Sequence, residues 1–198
     1  MSERAGFFQG TEMPTSGWWP VLWPDPAAVL AAMGIERGFD VIDLCCGDGW
    51  FTAPLATIAS HVVAIDLDPK FLDMAQVRVS AAGATNVAFV EGDAYDLAAF
   101  VPRTVDYVLI GNAFHGVPEP ARLAEAVRRV LKPGGHFGVI NWHKRPREET
   151  PVSGEPRGPR TELRLSPEET AARVTPAGLT LSRIVQLPPY HYGAIFVR

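Results

Sequence analysis

The chain has 198 residues, 47% of them hydrophobic, which is enough for one well-cored domain and short for two. Its formal charge of -4 argues against a general nucleic-acid binder, because phosphate contact needs a basic surface. The only two cysteines, adjacent Cys45 and Cys46, exclude a disulfide scaffold and point to a reducing cytoplasm, while no apolar stretch reaches the ~18 residues of a membrane span or forms a signal peptide.

Residues 1–26 hold Trp18, Trp19 and Trp23 among Gly10, Gly17, Pro14, Pro20, Pro24 and Pro26, and so many prolines forbid a long helix there. Two readings stand: an apolar segment packed on the domain, or a lid whose aromatics cover a ligand. Asp25 is a good N-cap for a short helix over 26–33, which Gly34 and Gly38 end. A buried strand follows over 39–44, then a helix over about 50–58, bent or shifted by Pro54. Strands at 61–66, 87–91, 105–110 and 136–141 alternate with helices at 69–82, capped by Asp68, and 119–131. Pro133-Gly134-Gly135 is read as a turn. This alternation implies an α/β, Rossmann-like, doubly wound sheet that is mostly parallel.

Beyond Trp142 the composition becomes rich in Pro, Gly and Arg up to Arg164, which is loop chemistry. Lys144, Arg145, Arg147, Arg157, Arg160 and Arg164 are interleaved with Glu148, Glu149, Glu155 and Glu162. A solvated, mobile loop is favoured over a clamp for an anionic substrate. Ser166-Pro167-Glu168-Glu169 starts a helix ending near Val174, and 181–187 with 192–197 alternate as an antiparallel pair. The expected organisation is one domain: a cap segment 1–38, a core 39–142, a loop 143–165 and a C-terminal helix and strand pair 166–198.

The most informative stretch is Val41 through Thr52, a strand running into a glycine turn and a helix, with Asp66 closing the next strand. Gly47 and Gly49 permit positive φ and let a ligand approach backbone N–H groups, and Asp66 can accept from both hydroxyls of a ribose. A dinucleotide fingerprint wants a third glycine where Thr52 stands. Asp48, Trp50 and Phe51 also crowd and charge the place of a pyrophosphate. S-adenosylmethionine, with a sulfonium and an ammonium, suits the acids of this turn better.

Four segments, Asp43-Leu44-Cys45-Cys46-Gly47-Asp48-Gly49, Ala64-Ile65-Asp66-Leu67-Asp68, Glu91-Gly92-Asp93-Ala94 and Leu131-Lys132-Pro133-Gly134-Gly135, occur in order. Together they resemble the successive motifs of class I S-adenosylmethionine-dependent methyltransferases, over about 39–142. The family more often has glycine at Cys45, and the double cysteine is similar to the quinone-biosynthesis type. The resemblance implies a seven-stranded sheet with an antiparallel C-terminal strand. It places Asp43, Cys45, Gly47 and Gly49 at the methionine end, Asp66 and Leu67 at the ribose and adenine edge, and Asp93 with Ala94 against the adenine. For Asp93 a plain helix N-cap is the competing reading.

Gly111-Asn112-Ala113-Phe114-His115-Gly116 follows a strand at the carboxyl edge, where ligands of such sheets bind, and in the family it lies under the transferred methyl group. Asn112 joins the cofactor set there, and His115, with His143 and Tyr190, is a candidate catalytic residue. His191 and Tyr192 are further polar aromatics near the last turn. No short histidine spacing calls for a metal, and Cys45-Cys46 reads as packing rather than as a thiol catalyst. The expected function is methyl transfer to a small, partly hydrophobic acceptor, with no nucleic-acid partner. The rivals are a non-catalytic cofactor-binding protein and an NAD-type oxidoreductase.

Overall fold

The computed structural model describes residues 17–198; Gly10 and Pro14 lie outside that range. In chain order the elements are α1 (Trp19–Leu22), α2 (Pro26–Ala32), β1 (Asp40–Leu44), α3 (Thr52–Ile58), β2 (His61–Asp66), α4 (Pro69–Ala81) and β3 (Val87–Glu91). Next come α5 (Leu97–Phe100), β4 (Val105–Gly111), α6 (Pro120–Val130), β5 (Leu131–Trp142), β6 (Pro151–Val152) and β7 (Glu155–Pro156). The chain closes with α7 (Pro167–Val174), β8 (Thr180–Leu187) and β9 (His191–Val197). Asp25, Asp68 and Ser166 each accept a backbone N–H as N-caps ahead of a proline. Ser166 and Glu169 complete a reciprocal capping box. Pro54 delays α3 to Thr52, where the proline falls in the first turn and its missing N–H breaks no helical bond.

The seven-stranded sheet runs β3-β2-β1-β4-β5-β9-β8, and only β9 is antiparallel to both its neighbours. Successive β-branched and leucine side chains point to opposite faces. Ile42, Leu44, Val108, Ile110, Phe137 and Val139 meet α5, α6 and α7, whereas Val41, Val62, Tyr107, Leu109 and Ile140 meet α1, α2 and α3. The strand order reverses between β1 and β4, which opens a crevice at their carboxyl ends. Among the described residues no helix is long and apolar enough to cross a membrane.

Two expectations are corrected. Pro133-Gly134-Gly135 is not a turn before the strand but an irregularity within β5, because the last residue of the chain pairs with it. Gly134 N–H donates to the Arg198 carbonyl, and Arg198 N–H to Gly135. Residues 143–164 keep most of their charged side chains exposed, as a solvated loop would, but carry more structure than a loop reading gives them. They form two 3-10 turns around the β6–β7 hairpin, and Thr150, Val152 and Arg164 are buried.

At one point in the sheet a glycine makes room for a large side chain. A Cβ on Gly138 would lie 2.2 Å from the Tyr107 hydroxyl. Tyr107 cannot retreat, since it is fully buried and donates to the Met33 carbonyl at 2.8 Å. Gly138→Ala is expected to cost about 2–3 kcal/mol by overpacking, measured by denaturant unfolding. A change within error would show that the strand can shift at no cost.

Candidate functional site

The turn after β1 is built by backbone geometry before any side chain enters. Cys45, Gly47 and Gly49 have φ of 58°, 54° and 79°, so one residue with a Cβ carries a conformation that costs glycine nothing. Gly49 also permits the close seat of α4, since a Cβ there would lie 2.7 Å from Ala75 Cα. Asp66, at the end of β2, holds the turn. Its Oδ2 accepts from Gly47 N–H at 2.9 Å and its Oδ1 from Asp68 N–H at 3.0 Å.

Beside the turn lies an open cleft lined by Leu44, Cys45, Ile65, Asp66, Leu67, Gly92, Asp93, Ala94 and Tyr95. The expected residues Cys45, Asp66, Leu67, Asp93 and Ala94 are therefore gathered from the ends of β1, β2 and β3. Leu44, Ile65, Gly92 and Tyr95 also line it. Asp93 does cap a 3-10 turn through Oδ1, which accepts from Tyr95 N–H. No lysine or arginine lines the cleft.

Asp43 sits beneath the turn, 2% exposed, and its Oδ2 accepts from the Thr52 hydroxyl at 2.6 Å. Burial pushes its carboxyl up to about 7, the Thr52 bond works against that, and the Asp66 charge adds to it. Thr52 is fully buried, so the place of a third glycine is filled. Asp48 does not charge the turn as its sequence position suggests: it is 2% exposed and ion-paired with Arg78 of α4 at 2.6 Å. Burial and neighbouring acids push both cysteine thiols up, which suits packing and not nucleophilic attack.

Past β4, Asn112 takes a φ of 57° and its N–H donates to the Ile140 carbonyl at 2.9 Å. Both polar atoms of its side chain are buried without a partner. The same holds for both ring nitrogens of His115 and of His191 and for the amide of Asn141. Burial lowers the His115 pKa to about 4; Asn141 beside it acts the other way without meeting hydrogen-bond geometry, and Arg164 adds to the lowering. His191 is held well below the usual range by burial first, then by His143, Arg164 and His115. Both imidazoles are neutral at physiological pH.

His191 lies between Trp23 and Trp142, with ring centroids 4.5 and 4.2 Å away, and Trp18 and Trp19 extend the aromatic wall. His143 Nε2 and the Tyr190 hydroxyl are engaged elsewhere in the chain. His143 Nε2 is 2.9 Å from Gln186 Oε1, and the Tyr190 hydroxyl donates to the Pro151 carbonyl at 3.0 Å. The sequence reading gives Asn141 no role and names His191 only among the polar aromatics able to reach the pocket, not among the catalytic candidates. The available signal was a polar residue inside the apolar run of β5. Among the described residues no group of three His, Cys, Asp or Glu side chains is placed to hold a metal ion.

Residues 41–135 match the family model described as a methyltransferase domain. A demethylmenaquinone methyltransferase of Listeria monocytogenes is 31% identical over 115 residues, covering 57% of this chain and 48% of that protein. The chain thus spans about half the length of the curated relatives it matches. A SAM-dependent methyltransferase from Aquifex aeolicus has the same fold, with a TM-score of 0.76, 24% identity, and coverage of 92% of this chain and 93% of that one. A magnesium protoporphyrin IX methyltransferase from Synechocystis, solved with bound SAM, gives 0.64 at 18% identity, covering 87% of this chain and 76% of that one.

The raised Asp43 pKa sets a pH dependence. The folded chain keeps this proton up to about pH 7, whereas an unfolded aspartate loses it near pH 4. The folded state therefore binds the extra proton between those values, and stability falls as pH rises through that window. Asp43→Asn keeps an acceptor for Thr52 and removes the penalty. Its Tm advantage over the parent chain should widen by about 3 °C or more between pH 5 and pH 8. A constant difference across that range would refute the assignment.

Proposed function

We propose that this chain, a member of the class I S-adenosylmethionine-dependent methyltransferase family, transfers a methyl group to a small, partly hydrophobic acceptor. The observation that carries the reading is the acid-lined cleft at the ends of β1, β2 and β3, next to the glycine turn.

The residues present fit S-adenosylmethionine. Asp66 has lone pairs left for ribose hydroxyls after accepting two backbone N–H groups. Asp93 and Ala94 stand where an adenine edge needs a carboxylate and a backbone N–H. Asp43, Cys45, Gly47 and Gly49 form the methionine end, and the unpartnered amide of Asn112 faces the same edge of the sheet from β4. The same acids, with Thr52 filling the third glycine position, oppose a pyrophosphate.

When bound, S-adenosylmethionine supplies an electrophilic methyl group, so that alignment is most of what the protein must add. His115 is the preferred candidate for taking a proton from the acceptor, because its ring nitrogens are unpartnered and its neighbour Asn112 lies at the end of β4. Held near 4, its pKa leaves it unprotonated across the neutral range. The aromatic wall of Trp23, Phe51 and Trp142 favours a partly apolar acceptor. The chain's negative charge weighs against a polynucleotide.

Calorimetric titration with S-adenosylhomocysteine, with NAD as control, is expected to give micromolar binding of the former alone. NAD binding without the other would overturn the cofactor reading. Asp66→Ala should weaken S-adenosylhomocysteine by on the order of 100-fold or more, through the loss of charge-assisted hydrogen bonds to the ribose together with release of the turn that Asp66 holds. His115→Ala should leave that affinity intact and lower kcat on any acceptor found in a screen, with no acid limb between pH 5.5 and 8 in the parent enzyme. Unchanged turnover would remove His115 from the mechanism. Intact cofactor affinity without turnover on any acceptor would favour a binding protein.

A further inference from the structure

Asn141 is fully buried near the end of β5, among the apolar residues Phe137, Val139, Ile140 and Trp142. Both polar atoms of its carboxamide are without a partner. A leucine would pack there without the cost of burying an amide, so the residue type calls for a reason other than stability. Side chains alternate along a strand, so Asn141 points to the face of Phe137 and Val139. Tyr192, directly opposite in the β5–β9 register, points there too. The 3-10 turn Phe114–Gly116, which carries His115, packs against β5 on that face, with the Phe114 and Phe137 ring centroids 6.3 Å apart.

The two ends of the amide have different neighbours. The Tyr192 hydroxyl is 2.6 Å from Thr170 Oγ1 and donates to the Leu165 or the Ser166 carbonyl, at 3.0 and 3.1 Å. With its one proton directed at a carbonyl, the phenol oxygen can only accept from an amide. Burial pushes this phenol up, and Thr170 and Asn141 pull it down, as donors to its oxygen do. His115 has both ring nitrogens buried and unpartnered. Burial is the larger influence on it and lowers its pKa to about 4; Asn141 works the other way, as an acceptor from a ring N–H does. The amide nitrogen of Asn141 thus faces Tyr192 and its carbonyl faces His115. Neither approach has the alignment of a full hydrogen bond, which catalytic pairs often reach only with substrate in place. Arg164 also bears on the imidazole, but a guanidinium only donates and cannot hold a ring N–H.

We propose that Asn141 is a positioning residue, clamped by the Tyr192 hydroxyl, whose carbonyl keeps one ring nitrogen of His115 as N–H and leaves the other as the lone pair that takes a proton from the acceptor. A neutral imidazole has one N–H and one lone pair, and the bond made at one nitrogen decides which is which. Without such a partner both tautomers are populated, and the lone pair faces the acceptor only part of the time. A carboxamide fixes the ring without adding charge. An aspartate in its place would bring a negative charge to the same buried face and raise the imidazole pKa. The proton transfer rests on the reading of His115 as the base; the tautomer preference stands on the residues themselves.

The test is ring-nitrogen NMR of the full chain, isotopically labelled at histidine and recorded at mildly alkaline pH, with His115→Gln identifying the signals. In the parent chain one His115 tautomer is expected to exceed the other by about tenfold or more. Asn141→Leu should bring the ratio below about threefold, and Asn141→Asp, which keeps an acceptor for the ring N–H, should restore it while raising the His115 pKa. An even mixture in the parent chain, or a ratio that survives in a cooperatively melting Asn141→Leu chain, would overturn the proposal. Should Asn141→Leu fail to fold, Tyr192→Phe decides: freeing the amide from its clamp must lower the ratio by about threefold or more, and an unchanged ratio would overturn the proposal. Unchanged turnover in His115→Ala would count against the base reading alone, because the tautomer ratio is measured without acceptor or cofactor.

Discussion

The Asp66 carboxylate, bridging Gly47 N–H of one strand-end turn and Asp68 N–H of its own, is the interaction on which the site geometry depends. Parallel pairing of β1 with β2 brings Leu44 opposite Ile65, so the two strands end together and their turns share one edge. The bridge then fixes the turn at Cys45–Gly49, whose positive φ values would be costly in a loop left free. From that fixed turn follow the seat of α4 against Gly49, the cleft reaching to Asp93, and the buried position of Asp43. Asp66 itself is pushed up by burial and pulled down by the backbone N–H groups of Asp68, Gly47 and Leu67. The turn is thus held by a carboxylate that still faces a cleft.

The rest of the edge is a study in contrast. The sheet interior is largely apolar on both faces, and the deep tyrosine hydroxyls of Tyr107 and Tyr192 both have partners. At the carboxyl end of β4 and β5 the rule breaks, and carboxamides and imidazoles are buried with nothing to bond. Folding alone would not favour such a set. Burial keeps both imidazoles neutral, which preserves them as acceptors at any pH a cell sustains. Stability is given up where chemistry is expected, and the apolar core offsets it.

The hairpin between β5 and α7 ties the two regions together. Gly158 has a φ of 87° and lies so close to Trp142 that a Cβ would sit 2.7 Å from the indole, which brings the hairpin backbone down onto the ring. Arg164 bonds the hairpin from below, and Tyr190 stacks on Trp142 while donating to Pro151. The wall that includes Trp23 thus has one side from the start of the described chain and another from the hairpin. Both close over His191.

The order of elements, most of their boundaries, the parallel sheet and the cleft residues Cys45, Asp66, Leu67, Asp93 and Ala94 were legible in the sequence. They depend on local signals: period-two apolar runs, aspartate and serine caps ahead of proline, and a glycine turn at a strand end. Such signals act between residues a few positions apart, so one-dimensional reading reaches them. Where partners are distant it failed. Asp48 reads as a turn acid until Arg78, thirty positions on, neutralises it. Pro133-Gly134-Gly135 reads as a turn until Arg198 pairs with it. Arg164 reads as a solvated charge until the hairpin buries it, and Asn141 and His191 become neighbours of one site only through the antiparallel docking of β9 on β5. The sequence by itself determined the fold and the residues that line the cleft beside the glycine turn, because both are set by short-range backbone chemistry. Tertiary structure alone decided the polar cluster and its lone cation, because burial and charge pairing are properties of residues far apart in the chain.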